Sequence, residues 1–257
     1  MKTWDAIVIG GGIIGLSLAW RLRRNSMRVL LVEKGEPARE ATHAAGGMIA
    51  DCDRCDSPEL SQLRKYSALL YPEFVHELQD ESGEAPDLRD AGTIAFFASN
   101  ERPACDTARR LSETDLAETE PLLAQGGNAW WLPERSVDPR ALGSALLKAA
   151  RHRGVEVVSG AAVYEVIVMG GCATGVRTSK AAYEAPLVIN CAGAWAGQLK
   201  PFGMPTHPVK GQIACVIPAP GVHYAIPAIR HVIRTPSVYL IPRSDGRILL
   251  GATVEEA

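Results

Sequence analysis

The chain has 257 residues, 47% hydrophobic and 22% charged, with a formal net charge of −2. That balance suits a globular protein of one large or two moderate domains with a sizeable core. It argues against a nucleic-acid or anionic-membrane surface, since no basic run is longer than residues 21–24. No apolar stretch reaches the length of a membrane span, and Asp5 and the glycines after Ile9 break the apolar start, unlike a signal peptide. Six scattered cysteines (Cys52, Cys55, Cys105, Cys172, Cys191 and Cys215) in a chain too large to need disulfide staples point to a reducing, cytoplasmic setting.

The first strand, Ala6–Ile9, runs into Gly10-Gly11-Gly12-Ile13-Ile14-Gly15 and then a helix to Arg24. Gly10 allows the tight turn out of the strand. Gly12 lacks the side chain that would collide with a phosphate, and Gly15 lets helix and sheet approach closely. The helix N-terminus offers free N–H groups and the positive end of its dipole to an anion. A second strand over 28–32 ends on Glu33, eighteen residues past Gly15, where a carboxylate can accept hydrogen bonds from ribose hydroxyls. Strand, glycines, helix, second strand and terminal acid in that order predict a dinucleotide site.

Residues 34–50 read as a loop of small residues ending in Ala44-Ala45-Gly46-Gly47-Met48, followed by a long helix over 57–82 with Leu60, Leu63, Leu70, Phe74 and Leu78 near helical spacing. Residues 92–98 read as a strand, 113–122 as a short acidic helix, and Trp130-Trp131-Leu132-Pro133 as a sheet edge. Asp138 as N-cap and Pro139 at the first position open a helix over 140–153. Strands follow over 155–158, 163–168, 174–177 and 187–190. The last third, 208–217, 232–234, 238–241 and 248–253, alternates like antiparallel strands. Cys52-Asp53-Arg54-Cys55 has the spacing of a redox pair or half a zinc site. With no second Cys-x-x-Cys and no thioredoxin-like context, coincidence is the favoured reading and no metal is assigned.

The run Asn190-Cys191-Ala192-Gly193-Ala194-Trp195, with the N-terminal glycines, Glu33-Lys34, the 41–48 loop, Val137-Asp138-Pro139, His207-Pro208-Val209-Lys210-Gly211-Gln212 and Tyr239-Leu240-Ile241-Pro242-Arg243, resembles the D-amino-acid oxidase superfamily, and within it the glycine oxidases. The resemblance covers essentially the whole chain. It implies an α/β protein: a Rossmann-like FAD-binding domain (1–85 and 138–200) interleaved with an α+β antiparallel-sheet substrate domain (86–137 and 201–257). By motif, Gly10, Gly12, Ile13, Ile14 and Gly15 would surround the FAD pyrophosphate, and Glu33 and Lys34 the adenosine ribose. Ala41 and Thr42 would also touch FAD. Gly46, Gly47 and Met48 would run beside the flavin ring, with Met48 also near substrate. Val163 would bind adenine through its backbone, and Ala192, Gly193 and Trp195 would pass beside the cofactor. Tyr239 would bind the substrate carboxylate; its plainer reading is a strand aromatic. Arg230 and Arg234 are left unassigned.

The implied reaction is oxidation of glycine or another small amino acid, with hydride passing from Cα to flavin N5 and the imine hydrolysing to oxo acid and ammonia. Reoxidation by O₂ then gives hydrogen peroxide. No side-chain base is required, and none is assigned. The alternatives are an amine or amino-acid dehydrogenase with another electron acceptor, and an inactive FAD-binding fragment. Family members run about a hundred residues longer, so a C-terminal segment completing the site is expected; a homo-oligomer is also compatible.

Overall fold

The tetrads Ala6–Ile9 and Val29–Val32 are buried at every residue, so both faces of these strands need cover. The computed structural model describes residues 3–52, 57–123, 126–217 and 229–256. It places both strands inside a four-stranded parallel sheet ordered Leu187–Asn190, Ala6–Ile9, Val29–Val32, Glu156–Val158. Side-chain alternation divides the cover. Val8 and Leu31 face α1 (Ile13–Arg24), α3 (Pro58–Ser82) and α5 (Pro139–His152), where Leu16, Trp20, Leu78, Leu142 and Leu146 complete one core. Ile7, Ile9, Leu30 and Val32 face Val166, Val176 and Ala185 of a small antiparallel sheet. Trp20 is fully buried, and its indole N–H donates to Glu81 Oε2 at 3.0 Å.

A second, seven-stranded sheet is ordered Ile213–Val216, Ile248–Gly251, Tyr239–Pro242, Val232–Arg234, Thr93–Phe97, Asn128–Leu132, Arg109–Arg110. The ribbon Met48–Ile49 paired with Arg135–Ser136 stands beside it. The chain therefore leaves the parallel sheet after Val32, returns at Glu156–Val158, forms the small antiparallel sheet over Val163–Glu184, and re-enters at Leu187–Asn190 before leaving again.

Several expectations change. Trp130 and Trp131 lie on an interior strand, because Arg109–Arg110 supplies the edge beyond them. Val232–Arg234 pairs antiparallel with Tyr239–Pro242, as its alternation suggests, and on its other side runs parallel to Thr93–Phe97, a pairing the local pattern does not announce. The acidic helix α4 (Glu113–Thr119) ends a little short of residue 122: Glu120, directly before Pro121, takes φ −139° and ψ 84°, and its buried carboxylate accepts the amides of Arg230 and His231 and meets His231 Nδ1. The 34–50 loop holds a one-turn helix, α2 (Ala41–Ala44). The run 208–217 splits into two strands, Val209–Lys210 and Ile213–Val216. Among the described residues no helix is long and apolar enough to cross a membrane.

Candidate functional site

At the carboxyl end of the parallel sheet, where the two neighbours of Ala6–Ile9 diverge, lies a cavity of about 300 Å³. This is the position that open α/β sheets use for ligands. Gly10 opens it: its φ is +100°, and a Cβ there would lie 2.3 Å from Cys191 O. A Cβ on Gly15 would lie 1.9 Å from Gly10 O, so this glycine sits behind the cavity wall and sets how closely α1 meets the strand end. Gly12 differs. Its φ of −76° suits any residue, and a Cβ would find only Thr42 Oγ1 at 3.4 Å. No neighbour among the described residues demands glycine there; the room it leaves belongs to the cavity.

The helix end is prepared for an anion. Ile13 N–H donates to Thr42 Oγ1 at 2.9 Å, while among the described residues the amides of Gly12, Ile14 and Gly15 have no protein partner. No acidic residue occupies the first turn of α1. Glu33, 7% exposed, accepts Gly11 N–H at 2.7 Å and Gly35 N–H at 2.9 Å, so it braces the glycine turn besides facing the cavity. The sequence reading missed that bracing role, because Gly11 N–H is reached only through the fold.

Across the mouth, Lys34 Nζ stands 3.1 Å from the Trp195 ring centroid and 3.2 Å from Glu40 Oε1. Lys34 and Trp195 follow strands on opposite sides of Ala6–Ile9, so they close the cavity from two walls. Gly10, Gly12, Ile13, Ile14, Glu33 and Lys34 line it, as do Ala41, Thr42, Val163, Ala192, Gly193 and Trp195. Glu40 and Cys191 line it too, without having been singled out in the sequence. Cys191 was visible as the first residue past a strand end, whereas Glu40 became visible only through its pairing with Lys34.

Gly46, Met48 and Tyr239 form a second cluster against the seven-stranded sheet, with Gly47 packed on Val137 and Pro139. A Cβ on Gly46 would lie 2.7 Å from Ile241 Cδ1, 3.4 Å from Tyr239 Cε2 and 3.6 Å from Tyr239 Oη. Gly47 has φ +73°, and Val137 O lies 2.1 Å from where its Cβ would stand. Met48 packs on the cluster of Val232, Ile241 and Leu249. Burial pushes the Tyr239 phenol up from its ordinary value, so it stays a neutral O–H donor near pH 7. Arg234 lies 3.5 Å from the buried Glu134 carboxylate, which also accepts Cys52 N–H at 3.3 Å. Cys52 is buried, and Cys55 lies outside the described residues.

A parallel sheet, a glycine turn at its switch point, an orphaned helix N-terminus and a terminal acid define a dinucleotide-binding protein. Residues 5–257 match the FAD dependent oxidoreductase family, and the chain belongs to that family, whose cofactor is FAD. It is 33% identical over 261 residues to a bifunctional protein ThiO/ThiG of Synechocystis, covering 99% of this chain and 39% of that protein. It is 29% identical to a glycine oxidase of Bacillus licheniformis, covering 99% and 70% of the two chains. The glycine oxidase structure from Geobacillus kaustophilus superposes with a TM-score of 0.88 at 25% identity, over 100% of this chain and 73% of that one. The chain thus spans about two fifths of the bifunctional relative and nearly three quarters of the glycine oxidases.

FAD fits what the residues offer. Gly12 leaves open room at the cavity wall, beside amides with no protein partner among the described residues. Glu33 has lone pairs to spare after accepting one backbone N–H on each oxygen.

Proposed function

We propose that the chain holds FAD along the line from the glycine-turn cavity to the Gly46–Met48 loop and oxidises glycine or another small amino acid, with O₂ as the final electron acceptor. The observation that carries this reading is the placement of the Tyr239 hydroxyl against Gly46, in the loop that leads away from the cavity wall at Ala41 and Thr42. The named relatives support the substrate class. The bound flavin supplies a two-electron acceptor for an amino-acid Cα–H.

The chain's own residues do the rest. The α1 amides and dipole take the pyrophosphate. Glu33 takes the ribose, and Val163 offers its backbone to adenine. Ala192, Gly193 and Trp195 close the far wall, and Gly46, Gly47 and Met48 flank the ring. Tyr239 donates its O–H to the substrate carboxylate and so fixes which Cα–H faces the ring. No protein base enters this scheme. All five described cysteines are free, as suits a reducing cytosol.

An absorption spectrum of the purified protein with visible flavin bands is the expected first result. Glycine should then yield peroxide under air, whereas turnover only with an artificial dye would indicate a dehydrogenase. Tyr239→Phe should raise KM for glycine several-fold and leave FAD retention alone. Wild-type kinetics in that variant would make the tyrosine structural.

A further inference from the structure

The strand Tyr239–Pro242 turns alternate residues to one face. Tyr239 and Ile241 on that face both press on Gly46. Arg243, next in the alternation, is 4% exposed and spends its guanidinium on two carbonyls distant in sequence: Nη1 donates to Val137 O at 2.9 Å and Nη2 to Gly46 O at 2.6 Å. Val137 N–H in turn donates to Gly47 O at 2.9 Å, so one cation ties Gly46–Gly47 to the end of the strand paired with Met48–Ile49. Its Nε is buried with no hydrogen-bond partner among the described residues.

A buried guanidinium that satisfies carbonyls instead of a carboxylate is a poor device for stability alone. Its planar fork, however, fixes two acceptors at a set spacing. Neighbouring contacts hold the fork in place. Arg243 N–H and O close the hairpin with Arg247 and Gly246, Ser244 binds Asp87, and Arg247 Nη2 meets Asp138 Oδ2 at 2.8 Å. Arg243 does not line the glycine-turn cavity.

We infer that Arg243 is a positioning residue for the flavin end of the cofactor: it holds Gly46–Met48 against the Tyr239 face and so sets the spacing between ring and tyrosine. This rests on the FAD reading above. It predicts a separation between the two ends of the ligand, because the adenosine end binds in a cavity that Arg243 does not touch.

The test compares ADP and FAD binding to wild type, Arg243→Met and Arg243→Lys, with the visible spectrum of each flavin-saturated protein. In Arg243→Met, ADP affinity should stay within twofold while FAD affinity falls at least tenfold and the flavin bands shift. Arg243→Lys, which keeps the charge and can hold one carbonyl, should recover part of both. An unchanged FAD-to-ADP ratio in both variants would overturn the inference, as would equal loss of both ligands in folded protein. If Arg243→Met does not fold, Arg243→Lys decides alone by the same ratio. A wild-type chain that binds ADP but not FAD would instead sink the FAD reading, before any variant is compared.

Discussion

Gly12→Ala separates folding from cofactor binding most cleanly. The backbone at Gly12 has φ −76° and ψ −176°, which alanine adopts without strain. The new methyl would touch only Thr42 Oγ1 at 3.4 Å, an ordinary contact. Alanine is a poorer N-cap than glycine by up to about 1 kcal/mol, and lower unfolded-state entropy returns about 0.4–1 kcal/mol. The net change in stability should therefore stay within about 1 kcal/mol. In the FAD pose proposed above, the methyl would sit where the phosphate approaches the turn. Overpacking of that kind costs roughly 1–3 kcal/mol, which is about 5- to 150-fold in affinity. Gly15→Ala is the contrasting control: its Cβ would stand 1.9 Å from Gly10 O, and the fold itself should fail. Urea melts report the stability, and flavin-fluorescence titration reports the affinity. A Gly12→Ala chain that binds FAD as tightly as wild type would refute that pose. One that melts far earlier would show that the glycine serves the fold.

Two further outcomes follow from buried carboxylates. Glu33→Gln keeps one acceptor but loses the charge shared by Gly11 N–H and Gly35 N–H, so it should lower stability by roughly 1.5–3 kcal/mol as well as weaken FAD binding; a denaturant midpoint equal to wild type would deny the bracing role. Burial alone would raise the Asp138 carboxyl, but the Arg140 amide and the Arg247 guanidinium outweigh it and hold the group below its ordinary 3.8. A depressed carboxyl stabilises the fold fully above that value and loses the contribution as pH falls through its folded value. Asp138→Asn should flatten the fall of Tm with acid below about pH 4, although Glu120, shifted in the same direction, keeps some slope. An unaltered Tm–pH profile would remove Asp138 from that account.

What the sequence determined by itself is local. The turn Gly10–Gly15, the buried tetrads and the Asp138–Pro139 helix start are legible because each states its requirement within a few residues: a positive φ, two covered faces, an N-cap oxygen. The lining of the glycine-turn cavity follows, since one glycine turn between two strands and a terminal acid carries most of its geometry. Only the tertiary structure decided the rest. The strand Trp130–Trp131 became interior because Arg109–Arg110 pairs outside it, a contact no local pattern announces. Val232–Arg234 runs parallel to Thr93–Phe97 because the chain reaches that sheet from two separate passes. The Lys34–Trp195 clasp, the pairing of Glu33 with Gly11 N–H and the Arg243 fork join residues from 22 to 197 positions apart. Such contacts are fixed by packing and by the need of buried polar groups for partners, which only a complete set of neighbours can satisfy.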